Sequence, residues 1–126
     1  MTNNNPRIQP VPEGYHSVTP WMISKNTEQL LTFVKEAFQA EEIDRFTNED
    51  GSIGHAEVRI GNSVIMMFDA KPEWPDTPCF LRFYVEDGDK VFEQALKAGA
   101  TPVTELTELF FGDRVGRVKD PFGNIW

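Results

Sequence analysis

Gly61-Asn62-Ser63-Val64-Ile65-Met66-Met67-Phe68 and Gly123-Asn124-Ile125-Trp126 open on the same Gly-Asn pair, about sixty residues apart. Before the first pair, His55-Ala56-Glu57-Val58-Arg59-Ile60 alternates polar and apolar side chains, as a strand with one buried face does. After it Ser63–Phe68 returns, so Gly61-Asn62 reads as the two-residue turn of a hairpin. Toward the N-terminus, Asn48-Glu49-Asp50-Gly51 is a turn that joins a strand over Ile43–Thr47 to this hairpin. Ahead of that strand Leu30, Leu31, Val34, Ala37 and Phe38 recur at helical spacing. With Asn26 as N-cap and Gln29 three residues on, the spacing predicts a helix over Thr27–Phe38. Val18–Ile23 reads as a first short strand, made an edge or bulge by Pro20.

Beyond the hairpin, Lys71–Pro78 carries Pro72, Pro75 and Pro78 and reads as a linker. The pattern then restarts. Phe80–Val85 predicts a strand, Asp87 an N-cap, and Val91, Phe92, Ala95 and Leu96 the apolar face of a second helix that Gly99 ends. Val103–Phe110, Arg114–Lys119 and a last strand starting near Ile125 follow. Strand–helix–strand–strand–strand thus occurs twice: Met22–Phe38 parallels Phe83–Ala98, and the two Gly-Asn turns match. Any α+β domain can show such an order by chance, but two matched punctuation points favour a true repeat. The expected organisation is an arm over 1–14 and one domain over 15–126, with module one at 15–70, the linker at 71–78 and module two at 79–126.

The 126 residues suit one domain with a real core. Ten Phe and three Trp are enough to fill a core and also line a pocket. A net charge of -8 argues against nucleic acid, which needs clustered Lys and Arg. Cys79 is the one cysteine, so no disulfide framework is expected, and it reads as a small buried hydrophobe rather than a nucleophile. With no signal-peptide core and no apolar run near membrane length, the expectation is a cytoplasmic protein without a membrane partner.

The doubled module resembles the vicinal-oxygen-chelate superfamily of glyoxalases, bleomycin-resistance proteins and extradiol dioxygenases. Asp120-Pro121-Phe122-Gly123-Asn124 looks like that family's turn before its last strand. Phe80-Leu81-Arg82-Phe83-Tyr84-Val85-Glu86-Asp87 looks like its strand-to-helix entry, and Gly51-Ser52-Ile53-Gly54-His55-Ala56-Glu57 resembles the PhnB-like branch. The resemblance implies an α+β fold in which two βαβββ modules curl a mixed sheet into a cup with the helices outside. Family enzymes hold a divalent metal in that cup through His or Glu on the first and last strand of each module. The corresponding positions here are Thr19, Met66 and Phe80, with a fourth just past Trp126, where this chain stops. None of the three is a usual hard ligand, although His16 would serve if the first strand were shifted. The expectation is no metal cofactor, with a divalent ion as the alternative. Family members usually continue beyond the position of Trp126, so either further residues or a partner strand is expected to complete the last strand. The resemblance also implies a homodimer.

Period-two geometry then sorts the candidate residues. His55, Glu57 and Arg59 share one face of their strand, and the hairpin adds Val64, Met66 and Phe68 to it, leaving Ile65 and Met67 against a helix. His55 and Glu57 are either an acid–base pair or a hydrogen-bonded pair that satisfies polar atoms at the rim. Phe80, Arg82 and Tyr84 are expected in the same cup, Arg82 either anchoring a carboxylate-like group or pairing with Glu57. Arg114 and Arg117 fall on opposite faces of their strand, so at most one lines the cup. Trp21 and Trp126 are pocket wall or core. The expected function is a metal-free protein binding a small organic molecule in its cup; the alternatives are an enzyme, either metal-dependent (lyase, isomerase or dioxygenase) or acid–base through His55 and Glu57, and an interaction module with a self-filled cup.

Overall fold

A computed structural model describes residues 9–109 and 112–126. Residues 1–8 of the expected arm, and Phe110 at the end of an expected strand, lie outside the described residues. In chain order the elements are β1 (Trp21–Ser24), α1 (Thr27–Phe38), β2 (Glu41–Thr47), β3 (Ile53–Ile60), β4 (Ser63–Asp69), α2 (Gly88–Lys97), β5 (Thr101–Glu108) and β6 (Arg114–Lys119). The fold is mixed α+β, with a four-stranded sheet in the order β1-β4-β3-β2 and a two-stranded β5-β6 sheet. β1 runs parallel to β4, and the other pairs are antiparallel.

Both helices form where their caps dictate. The Asn26 side chain accepts from the Gln29 backbone N–H at 3.0 Å, and Asp87 accepts from Lys90 at 3.1 Å. At the end of α1, Gln39 takes a left-handed conformation (φ 57°) and returns its N–H to Lys35. Leu30, Leu31, Val34, Ala37 and Phe38 are buried against Ala56, Val58, Ile60, Ile65 and Met67 from the sheet. α1 also packs on α2, so one core serves both modules. On the exposed side, Lys35 and Arg45 pair with Glu42 and push its carboxyl down to about 2, with the Arg45 hydrogen bond as the largest cause.

β1 begins at Trp21 rather than Val18, because Pro20 has no N–H to give a ladder; its carbonyl instead accepts from Met66. The expected Phe80–Val85 strand is not formed as a ladder. Phe80 makes a single parallel bridge to Ile125, and Leu81 donates to the Ile125 carbonyl at 2.9 Å. The side chains still alternate, with Leu81 and Phe83 turned to the core and Phe80, Arg82 and Tyr84 exposed. A strand is defined by its pairing, and residues 82–85 have no backbone ladder on either side. Ile125, where a last strand was expected, bridges Phe80 in parallel and Lys119 antiparallel. Those are the same two directions in which β4 meets β1 and β3.

The Asp120–Asn124 turn holds this second module together. Asp120 is 4% exposed and accepts from four donors: the backbone N–H groups of Phe122 and Asn124, the Asn124 amide and the Trp126 indole, all at 2.9–3.0 Å. Asn124 in turn accepts from the Cys79 N–H at 2.8 Å, tying the turn to the start of module two. Gly123 (φ 91°) supplies the left-handed step. Asp120→Ala would leave these buried donors without an acceptor. It is expected to cost about 3 kcal/mol in urea unfolding; a loss under about 0.5 kcal/mol would show that the turn is not what holds the module.

Candidate functional site

The β3–β4 hairpin has Ile60 opposite Ser63, so Ala56, Val58, Ile65 and Met67 point to α1 and the intervening side chains point away. On that outer face the register lines up Trp21, Met66, Glu57 and Asp44 across all four strands. The next row carries Ile23 beside Phe68 and His55 beside Phe46. The row before it carries Val64, Arg59 and Glu41.

A chain of hydrogen bonds crosses the middle of this face. The Tyr15 phenol donates to Glu57 Oε2 at 2.5 Å, and Glu57 Oε1 lies 3.0 Å from His55 Nε2. The phenol's hydrogen bond, and secondarily that of His55, holds the Glu57 carboxyl below the usual carboxylate range, against the opposing effect of burial. The same bond raises the Tyr15 hydroxyl above its ordinary value. An ionised carboxylate only accepts, so His55 donates through Nε2. Trp21 packs beside both His55 and Phe68, with ring centroids 5.4 and 5.7 Å away. Arg59 is only 3.9 Å from Glu41, a loose pair.

Tyr15 was not singled out from the sequence, because its partner is 42 residues away. The local signal is Gly14: it takes φ 87°, and a Cβ there would come within 3.4 Å of the Arg59 guanidinium. The chain can therefore cross close over Arg59 and drop the phenol onto Glu57.

Of module two's candidates, Arg82 and Tyr84 share a hollow with Thr19 and with Val64 of this face. Phe80, Arg82 and Tyr84 are exposed together, with the Arg82 guanidinium 5.9 Å from the Tyr84 ring. Among the described residues no ion pair or hydrogen bond links Arg82 to Glu57, the pairing expected as one alternative for Arg82. Arg114 pairs with Asp89 of α2, and Arg117 donates to Thr104 at 3.2 Å. Trp126 is core, stacked 4.6 Å from Phe38, whereas Trp21 is 46% exposed. His16 is exposed. Cys79 is half-buried, with burial pushing its thiol up, which suits the reading of an inert small hydrophobe.

Two hollows, of about 640 and 560 Å³, share Leu81–Tyr84 and Trp126 in their walls, and neither includes His55 or Glu57. The larger lies between residues 80–89 and β6, with Phe92 and Ala95 of α2 in its wall. Charged side chains line it too, among them Arg82, Asp113 and Arg117, but the groups on module one are the ones joined in a hydrogen-bonded chain beside aromatic rings.

At the positions where family enzymes bind metal, Thr19 offers a hydroxyl, Met66 a thioether and Phe80 a ring. These do not fit a hard divalent ion. Among the described residues no three His, Cys, Asp or Glu side chains cluster as a metal site.

A family model described as the Glyoxalase/Bleomycin resistance protein/Dioxygenase superfamily matches residues 15–126. The chain belongs to that superfamily. The uncharacterized protein Rv0887c of Mycobacterium tuberculosis is 34% identical, the match covering 87% of this chain and 71% of that protein. Among solved structures, TioX from Micromonospora sp. ML1 superposes with a TM-score of 0.73 at 21% identity, over 86% of this chain and 93% of TioX. The PhnB protein from Bacillus cereus, a putative 3-demethylubiquinone-9 3-methyltransferase, gives 0.66 at 18% identity, over 88% and 96%. At these identities the superfamily structures establish the fold alone. No helix among the described residues is long and apolar enough to cross a membrane.

The phenol's role is directly testable. A carboxyl held low in the folded state contributes stability above its unfolded value, about 4.3, and loses it as pH falls through the folded value. Tyr15→Phe is expected to raise the Glu57 midpoint in a carbon-13 titration and to cost about 1–2 kcal/mol at neutral pH. The difference from wild type should shrink in acid. An unchanged Glu57 midpoint would exclude the phenol as the cause.

Proposed function

We propose that the chain is a cytoplasmic small-molecule-binding protein of its superfamily, taking an organic ligand on the outer face of module one without the usual metal. The observation that carries this reading is the Tyr15–Glu57–His55 chain set among Trp21, Met66 and Phe68. A half-buried carboxylate beside half-exposed rings provides apolar contact together with one directed polar group, the usual composition of a ligand site. The unsuited side chains at Thr19, Met66 and Phe80 support the metal-free part of the reading, and the lone Cys79 supports a reducing compartment.

A second reading is metal-free acid–base catalysis, favoured by the 3.0 Å His55–Glu57 contact. The carboxylate orients the imidazole and leaves Nδ1 to take a proton from a bound substrate. Binding without turnover separates the two readings.

The test is a thermal-shift screen of small aromatic amines, carboxylates and phosphonates, with metal content measured on the same samples. Hits are expected to stabilise wild type and to lose most of that effect in Trp21→Ala. Ligands that stabilise Trp21→Ala equally, or one tightly held nickel, zinc or iron ion per chain that His55→Ala releases, would overturn the reading.

The reading includes a homodimer. Trp21 and Phe46 on module one, and Phe80, Tyr84 and Val103 on module two, are large apolar side chains left exposed. Phe80, Arg82 and Tyr84 then belong to the ligand site as a wall supplied by a second copy. Light scattering at micromolar concentration should give twice the chain mass, and a clean monomer mass would count against it.

A further inference from the structure

We propose that the corner formed by Trp21, Phe68 and Glu57 selects an organic cation, of the size of a methylated or benzylic ammonium group. The inference rests on the reading of this face as a ligand site and assigns the chemical class of its ligand.

The corner has two walls. The Trp21 and Phe68 rings meet nearly at right angles, 86°, with centroids 5.7 Å apart. The Trp21 ring is also tilted against His55 at 5.4 Å. Aromatic faces carry negative charge density, so two rings at a corner attract a cation from two directions. Met66, between Trp21 and Glu57 in the register, adds a polarisable thioether to the floor.

The floor also carries more carboxylates than fixed cations: Glu57, Asp44 and Glu41 against Arg59. The Glu57 side chain is 13% exposed, and its two hydrogen-bond partners are a phenol and an imidazole rather than a guanidinium or an ammonium. Asp44 lies opposite Glu57 in the register and adds a second carboxylate. Within one chain the described guanidinium on this face is Arg59, turned toward a third carboxylate, Glu41, and the Arg82 that a second copy would bring still leaves three carboxylates against two guanidinium groups. An anion approaching Trp21 would meet the field of Glu57 first, with Asp44 on the far edge strand and Glu41 in the neighbouring row. A small ammonium ion is held strongly by water, whereas a methylated or ring-bearing cation loses less hydration and gains the ring contacts.

Benzyltrimethylammonium, benzyl alcohol and benzoate are matched probes of one ring with positive, zero and negative charge. Calorimetric titration of the full chain at low and high salt should find the cation bound about tenfold more tightly than the alcohol, and benzoate more weakly than either. Added salt should weaken the cation alone. Glu57→Gln should lose about tenfold for the cation and little for the alcohol. Because that change also touches the Tyr15–His55 chain, Asp44→Asn on the exposed edge strand is the second variant. It removes a nearby charge without touching that chain, and about a threefold loss is expected.

Equal binding of alcohol and cation, or cation binding that both variants leave unchanged, would overturn the cation assignment. Benzoate bound preferentially, in a manner abolished by Trp21→Ala, would overturn the class while leaving the site in place. If no probe shows binding that depends on Trp21, both the class and the site fail.

Discussion

The register of β3 against β4, with Ile60 opposite Ser63, determines what the rest of the molecule can do. A strand shows its side chains alternately to two faces, so slipping this pair by one residue would exchange every inward and outward group. Glu57 and His55 would then lie under α1 among Leu30, Leu31 and Val34, where an ionised carboxylate has no partner. Ala56, Val58 and Met67 would lie in water. The tight Gly61-Asn62 turn and the cost of burying Glu57 therefore enforce the same register, and the row from Trp21 to Asp44 follows from it.

Two carboxylates of the fold are held in different ways. Asp120 is buried and encircled by four donors, so its hydrogen-bonding capacity is spent on shaping the turn that ends β6. Glu57 has two side-chain partners, Tyr15 and His55, and sits in the register row of Met66 and Trp21. Its charge is stabilised by hydrogen bonds rather than cancelled by a cation, which leaves it available to an incoming group. Asp69 lies between these cases: it accepts the Thr27 and Ile53 N–H groups, both at 2.7 Å, and so ties the start of α1 to β3.

Local chemistry explains which parts were legible in the sequence. The bounds of α1, the Asp87 cap of α2, the Gly61-Asn62 hairpin and β6 are written in caps, turn residues and short-range alternation, and the structure has them where these signals lie. The outward set of His55, Glu57, Arg59, Met66 and Phe68 followed from period two once the turn was read. What failed depended on distant pairing. Phe80–Val85 has the alternation of a strand, but a ladder needs neighbours that its own sequence does not specify. Tyr15 reaches Glu57 across 42 residues, and the single Phe80–Ile125 bridge spans 45. Neither leaves a trace in local spacing.

On the proposed reading the Trp21–Met66–Glu57 face, and not the larger hollow beside residues 80–89, receives the ligand. The most direct measurement is nuclear magnetic resonance shift mapping on uniformly labelled protein, titrated with any fragment that raises its melting temperature. The account predicts that the Trp21 indole, the His55 ring and the β3 and β4 amides around Glu57 and Met66 shift first and saturate together. Shifts confined to Leu81–Val85, Phe92 and β6, with Trp21 and His55 unmoved, would contradict it.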